Sequence, residues 1–205
     1  RYDPKLSRCK GLPLPLYQTQ IWALDPEGAS PVFLRFGVPV KPYSNSPNAK
    51  QRPVADIPNP NLIEYDRPGS RIMKAVLRNN LVYAVRGDCQ DPENKGPCSG
   101  VIRLFRFDLL DPNLGSTDPA KPRNSAFIDR SLGIRNFYDD GPTDVVQYAI
   151  PSLGVNRHGD MVMVYARSGE KVFPEARYSV YRGNASDVQP SRALQKGDFP
   201  VGTNA

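Results

Sequence analysis

The sequence predicts an all-β protein that forms part of a β-propeller, about three blades of antiparallel four-stranded sheets, and three observations carry that prediction. Prolines number 22 among 205 residues, about twice the usual share of roughly 5%. A proline inside a helix removes a backbone hydrogen bond and clashes with the preceding turn, so helices of ordinary length have little room. Short apolar segments rich in Val, Ile, Leu, Tyr and Phe recur between turn residues, which supplies buriable surface and argues for strands over disorder. Finally, two segments look alike. Ala75-Val76-Leu77-Arg78-Asn79-Asn80-Leu81-Val82-Tyr83-Ala84 resembles Gly154-Val155-Asn156-Arg157-His158-Gly159 followed by Val162-Met163-Val164-Tyr165-Ala166. In both, an apolar strand meets a tight turn and a second apolar strand ends in Tyr-Ala, the internal repeat of a β-meander expected in a propeller.

Each segment has its own reason. Tyr17 to Leu24 alternates polar and apolar residues and stops at Asp25-Pro26-Glu27-Gly28, a strong turn. Val32 to Val40 is a second strand, followed by a polar, proline-rich stretch to about Pro60 and a short strand at Leu62 to Tyr65. Ile72 to Leu77 and Leu81 to Val85 form the next pair, and Val101 to Leu109 lies beyond a polar loop. Asp111 to Asn124 reads as a loop and Ala126 to Ile134 as an outer strand. Tyr148 to Asn156 and Met161 to Ala166 make a hairpin around His158-Gly159-Asp160, Arg177 to Arg182 is a further strand, and the residues from Gly183 read as turn and edge.

A four-stranded sheet has two faces to bury and two edges to protect, and radial stacking covers the faces while leaving only short edges. The runs Leu81 to Val85 and Met161 to Ala166 suit inner strands buried on both faces. The more alternating Tyr17 to Leu24 and Arg177 to Arg182 suit outer positions. The expected organisation is an extended segment over 1–14 and blades over about 15–65, 66–135 and 145–205. Propellers have about 4–8 blades, so these residues are expected to belong to a longer chain. A β-sandwich with long loops is the alternative.

Net charge is +6, which permits a polyanionic partner. Lys and Arg are interleaved with acidic residues and form no basic arm or helix face, so an ordinary solvated surface is the plainer reading. Nucleic-acid motifs and nucleotide-binding glycine loops are absent from the sequence. No segment approaches 18 consecutive apolar residues, so no membrane span is expected. The chain opens at Arg1 without a signal-like stretch, which leads to the expectation that a leader has been removed and that more chain exists.

Of three cysteines, Cys89 and Cys98 bracket a polar loop between two strands. A hairpin brings its strand ends to the separation a disulfide requires, and closing so short a loop stabilises by roughly 2–3 kcal/mol in the chain-entropy account. A zinc site needs further ligands, and the chain has a single histidine. A Cys89–Cys98 disulfide is therefore expected, with an oxidising, extracellular or cell-surface location. Cys9 is left over, either free or paired outside these residues with a longer chain or another subunit.

Several pieces between Asp66 and Asn184 carry a resemblance. They are Ser70-Arg71-Ile72 through Tyr83-Ala84, the run Ile102 to Asp108, and Ile150-Pro151-Ser152-Leu153-Gly154-Val155-Asn156 leading to Gly159-Asp160 and Tyr165-Ala166-Arg167-Ser168-Gly169. Phe173-Pro174-Glu175-Ala176, ending at Tyr181-Arg182, completes them. Together they resemble a family of bacterial secreted proteins with sialidase-like propellers. The resemblance implies the fold and assigns no catalytic role, since the matching positions are packing and turn residues.

A sialidase-type site needs arginines for a substrate carboxylate, a tyrosine nucleophile and an acidic partner. Arg35, Arg71 and Arg182 are the nominees for the first role and Tyr181 or Tyr165 for the second. The Asp-box turn signature S-x-D-x-G-x-T-W does not occur, and Leu34-Arg35-Phe36-Gly37 is only a faint echo of an arginine motif. Asp139, Asp140 and Asp144 offer clustered oxygens of the kind calcium takes, and Asp108, Asp111 and Asn113 make a second cluster. Asp and Asn equally favour turns by bonding nearby amides. His158 reads as a turn residue. Arg86-Gly87-Asp88 spells an adhesion tripeptide at a strand end, and reads as coincidence. Asn184-Ala185-Ser186 is an N-glycosylation acceptor sequence.

The expected function is a secreted or cell-surface, non-catalytic propeller used for binding or assembly with a glycan or protein ligand, without cofactor unless calcium. The alternative is a glycoside hydrolase of sialidase-like type, with its site in the propeller channel. A third possibility, an acidic-polymer binder, predicts affinity that falls steeply with salt.

Overall fold

The fold is given by a computed structural model that describes residues 18–25, 32–41, 49–50, 52, 62–63, 71–90, 99–133, 137, 146–183 and 188–198. Among them the elements are strands. β1 (Gln18–Asp25) pairs antiparallel with β2 (Val32–Pro39), and β3 (Ala49–Lys50) with β4 (Leu62–Ile63). β5 (Lys74–Arg78), β6 (Leu81–Gln90), β7 (Ser99–Asp108) and β8 (Ile128–Leu132) form one four-stranded antiparallel sheet in chain order. β9 (Val146–Val155), β10 (Met161–Gly169), β11 (Val172–Tyr181) and β12 (Arg192–Gln195) form a second. The all-β expectation holds, and each four-stranded sheet is a simple meander.

The turns explain why the meanders close. β5 and β6 meet at Asn79 and Asn80, with φ of 50° and 61°. A two-residue hairpin of the type whose twist matches the strands requires positive φ at both positions, and asparagine tolerates it. Between β9 and β10, the Asn156 side-chain oxygen accepts from the amides of His158 (2.8 Å) and Asp160 (3.0 Å), and Gly159 turns with φ of 82°. The Asn79 side chain donates to the Arg157 carbonyl at 3.2 Å, so the two turns meet at one end of the two sheets.

The inner strands of the first sheet, β6 and β7, are enclosed, whereas β5 is largely exposed. On one face Tyr83, Val85, Ile102 and Leu104 pack against Leu153, Met161, Met163 and Tyr165 of the second sheet, in a core that also holds Phe137 and Tyr148. Phe137 lies 4.9 Å from the Tyr148 ring and 4.7 Å from that of Tyr165. On the opposite face Ala84, Phe105 and Phe107 pack with Val38, Leu114 and the partly buried Ile21 and Val40, so the β1–β2 hairpin forms a third layer. The hairpin is tied down by a buried guanidinium. Arg103 donates to Asp129 (2.6 Å), Asp88 (3.0 Å) and the Lys41 carbonyl (3.1 Å), and the Lys41 amide donates to the other Asp129 oxygen at 2.6 Å.

The second sheet differs on its outer face. The expectation that Met161 to Ala166 is buried on both faces is corrected there, because Val162 and Val164 are 40% and 36% exposed. They neighbour Gly154 and Val180, and Ser152 and Tyr178, across the strands. The residues from Arg177 to Tyr181 belong to β11, which has β10 on one side and β12 on the other, so they are not an outer strand. Ile150 and Pro151 together oppose Tyr165, a bulge that absorbs a proline without an amide to donate.

Candidate anion-binding cavity

The Tyr-Ala repeat read from the sequence corresponds to a structural repeat. Tyr83 in β6 pairs with Arg106 in β7, and Tyr165 in β10 pairs with Arg177 in β11. Each arginine reaches the residue that leads into the fourth strand of its sheet. Arg106 Nε donates to the Ala126 carbonyl at 2.6 Å. Arg177 donates to the Ser191 hydroxyl at 2.7 Å and to the Ser191 carbonyl at 3.2 Å. A planar, multi-donor guanidinium spans two acceptors that a lysine ammonium does not match.

Around Arg177 this arrangement opens into a cavity of about 530 Å³. Its walls come from the β10–β11 turn, the start of β11, the strand β12 with the residues after it, and Arg52. Six cationic side chains line it, Arg52, Arg167, Lys171, Arg177, Arg192 and Lys196, and Glu175 is the one carboxylate among the described lining residues. Glu175 lies 2.9 Å from Arg177 and 3.6 Å from Arg167. Arg167, Glu175 and Arg177 are largely buried, whereas Arg52, Lys171, Arg192 and Lys196 are exposed at the mouth. Arg52 is placed by its amide, which donates to the Val172 carbonyl at 3.3 Å, and by its guanidinium, 5.2 Å from the Phe173 ring centre. Gly197 permits the last wall, since a methyl group at that position would run into the Pro174 carbonyl.

The sequence-nominated residues are dispersed. Arg71 is exposed ahead of β5, Tyr181 is 7% exposed at the end of β11, and Arg182 follows it at the surface. Tyr181 packs in the core between the sheets. Arg182 lines a second cavity with Gly154, Asp160, Val162 and Val180. Tyr165 is buried and shares a 2.7 Å hydrogen bond with Ser179. At this end of the sheets burial pushes the Tyr83 hydroxyl pKa up, opposed by Arg106 and reinforced by Tyr181 and Asp160. Asp160 is held below the ordinary carboxylate range by hydrogen bonds from the Asn156 side chain and the Gly183 amide.

Other candidates resolve into structural roles. Asp111 accepts from the amides of Asn113 (2.9 Å) and Asn124 (2.8 Å), and Asp108 from the Leu110 amide (2.9 Å) and the Asn124 side chain (2.7 Å). Their oxygens thus cap the loop after β7. His158 is an exposed turn residue whose Nε2 accepts from Arg157. Arg86-Gly87-Asp88 lies within β6 with Arg86 and Asp88 buried, which withdraws the tripeptide from solvent. Asp139, Asp140, Asp144, Cys9 and Cys98 lie outside the described residues. Cys89 is buried near the end of β6, and the register places Gln90 opposite Ser99.

Sequence reasoning missed the cavity because its cations come from well-separated segments, each with acidic or neutral neighbours. The one available signal was the Arg177 position in the repeat. Among the described residues no three His, Cys, Asp or Glu side chains are grouped to hold a metal ion, and no helix is long and apolar enough to cross a membrane. No family model matches the chain, and neither the curated proteins nor the solved structures contain a match to it.

Proposed function

We propose that the chain is an extracellular, non-catalytic binding module of propeller type, and that the cavity at the end of the second sheet holds an anionic ligand. The observation that carries this reading is the lining, six positive side chains and one carboxylate among the described residues. Clustered positive charge in a concave, partly desolvated site concentrates anions. The described lining contains no histidine, cysteine or tyrosine, and its carboxylate is tied up in ion pairs, so it lacks the poised acid and base that general acid–base chemistry requires.

The propeller reading is supported by two consecutive four-stranded meanders packed face to face, the first of them covered on its other face as well. Radial stacking covers both faces of a sheet in this way. The extracellular reading rests on Cys89 and Cys98, flanking the loop between β6 and β7, as a disulfide. Alkylation of the native protein before and after reduction tests it. Protection of both thiols until reduction is expected, and ready labelling of Cys89 and Cys98 without reductant overturns it.

Incubation of the purified protein with a panel of chromogenic glycosides and acidic oligosaccharides tests the functional reading. Binding without release of product is expected. Turnover of any glycoside, abolished by substitution at a named residue, overturns the non-catalytic assignment.

A further inference from the structure

β5 is the end strand of the first sheet, with β6 as its one neighbour in the ladder. Alternate residues of an antiparallel strand turn both amide and carbonyl away from the partner, so an end strand presents backbone donors and acceptors to whatever lies beyond it. The register of β5 against β6 runs unbroken from Lys74 opposite Val85 to Arg78 opposite Leu81. The other end strands differ. The ladders that hold β9 and β12 each carry a register shift, which blunts an edge, and β8 is largely covered. Residues 71–78 are exposed apart from the half-buried Val76, which packs against the core between the sheets and anchors the strand. Ile72, Met73 and Leu77 are 36%, 37% and 63% exposed. The charged residues of this stretch are Arg71, Lys74 and Arg78, all exposed cations, and the residues facing Lys74 and Arg78 across the ladder are apolar. By strand alternation Lys74, Val76 and Arg78 share one face.

We infer that the free edge of β5 takes up an extended segment of another protein as an added strand, with carboxylates opposite Lys74 and Arg78 and an apolar residue opposite Val76. The backbone ladder supplies affinity that any extended chain shares, and the charge pattern selects an acidic one. Opposite charges set across a ladder stabilise the pair, whereas like charges directly opposite destabilise it. A second copy of this chain is therefore a poor occupant, because antiparallel pairing of two β5 strands about Val76 sets Lys74 against Arg78 in both directions. This edge belongs to the first sheet and the anion-binding cavity to the second, and filling one does not depend on filling the other.

The test uses the whole chain and the peptide Thr-Glu-Thr-Val-Thr-Glu-Thr, capped at both ends, beside a counterpart with lysine in place of glutamate. The glutamate peptide should bind about tenfold more tightly than the lysine peptide, and should slow amide exchange over residues 74–78. Lys74→Glu/Arg78→Glu should reverse that preference. Arg192→Glu/Lys196→Glu changes the net charge equally on the second sheet and should weaken binding of the glutamate peptide less than about threefold. Equal binding of the two peptides, equal losses from the two double variants, or failure of the glutamate peptide to bind overturns the inference. Binding without protection over 74–78 overturns it as well, since the added strand must pair with the backbone there. A concentration-dependent dimer that itself slows exchange over 74–78 assigns the edge to a second copy and overturns the choice of an acidic partner. Each of these results leaves the non-catalytic reading standing, whereas glycoside turnover removes that reading whatever the peptide affinities.

Discussion

The two four-stranded sheets share one plan and diverge at their surfaces. In each, a buried tyrosine on the second strand faces an arginine on the third, and that arginine ties in the segment leading to the fourth strand. In the first sheet the surrounding charges are neutralised internally. Arg103 is buried and paired with Asp88 and Asp129, and both faces of the inner strands β6 and β7 are covered, although β5 is largely exposed. In the second sheet six cationic side chains and one carboxylate line an open cavity among the described residues, and part of the outer face remains exposed. The same meander is thus spent on stability in one case and left available for a ligand in the other.

Removing the buried charge of the first sheet should have the largest effect. Arg103→Met leaves two carboxylates buried without their cation and should cost about 3–5 kcal/mol, read from the denaturant midpoint at constant slope. A matched pair of valine substitutions then separates the two sheets. Val85→Thr places a hydroxyl at a fully buried site (0% exposed) and should cost about 1–3 kcal/mol. Val164→Thr, on the exposed outer face of the second sheet, should stay within about 0.5 kcal/mol. Equal costs would refute the difference between the faces.

How much of this was legible in the sequence depends on the range of the interactions. The meanders could be read because strand alternation, the Asn79-Asn80 turn and the Asn156 to Asp160 turn are local, and the Tyr-Ala repeat marked equivalent strands. β12 and β3 were not, since Arg192–Gln195 and Ala49–Lys50 are short and polar and acquire strand geometry only by pairing with a neighbour. The cavity was illegible for a related reason. Arg52, Arg167 and Arg192 are far apart in the chain, and only the packing of β10, β11 and β12 assembles them. The buried network was illegible as well, because Asp88 reads as part of a chance tripeptide at a strand end until Arg103 is seen to hold it.

The repeated arginine sharpens the comparison at a finer scale. Arg177→Lys forfeits contacts with Ser191 and Glu175 and should cost about 2 kcal/mol, against about 1 kcal/mol for Arg106→Lys, whose Nε bond is to the Ala126 carbonyl. Ile150 has a φ of 50°, a conformation that is strained for a β-branched residue. Ile150→Asn should therefore raise stability by about 1 kcal/mol in thermal unfolding.

The smallest effect is on pH dependence. The Asp160 carboxyl is depressed in the folded state, so its contribution is fully present above the ordinary value of 3.8 and is lost as pH falls through the lower folded value. The stability difference between the wild type and Asp160→Asn should accordingly shrink on acidification through that window. A difference that stays constant there contradicts the assigned role of the Asn156 and Gly183 contacts.

Amide hydrogen exchange, measured with and without dextran sulfate, tests most directly whether the second sheet is the binding half. Slower exchange is expected over residues 171–175 and 191–197, with no change over 82–88 and 101–107. Protection confined to the first sheet, or none anywhere at saturating ligand, would contradict the account.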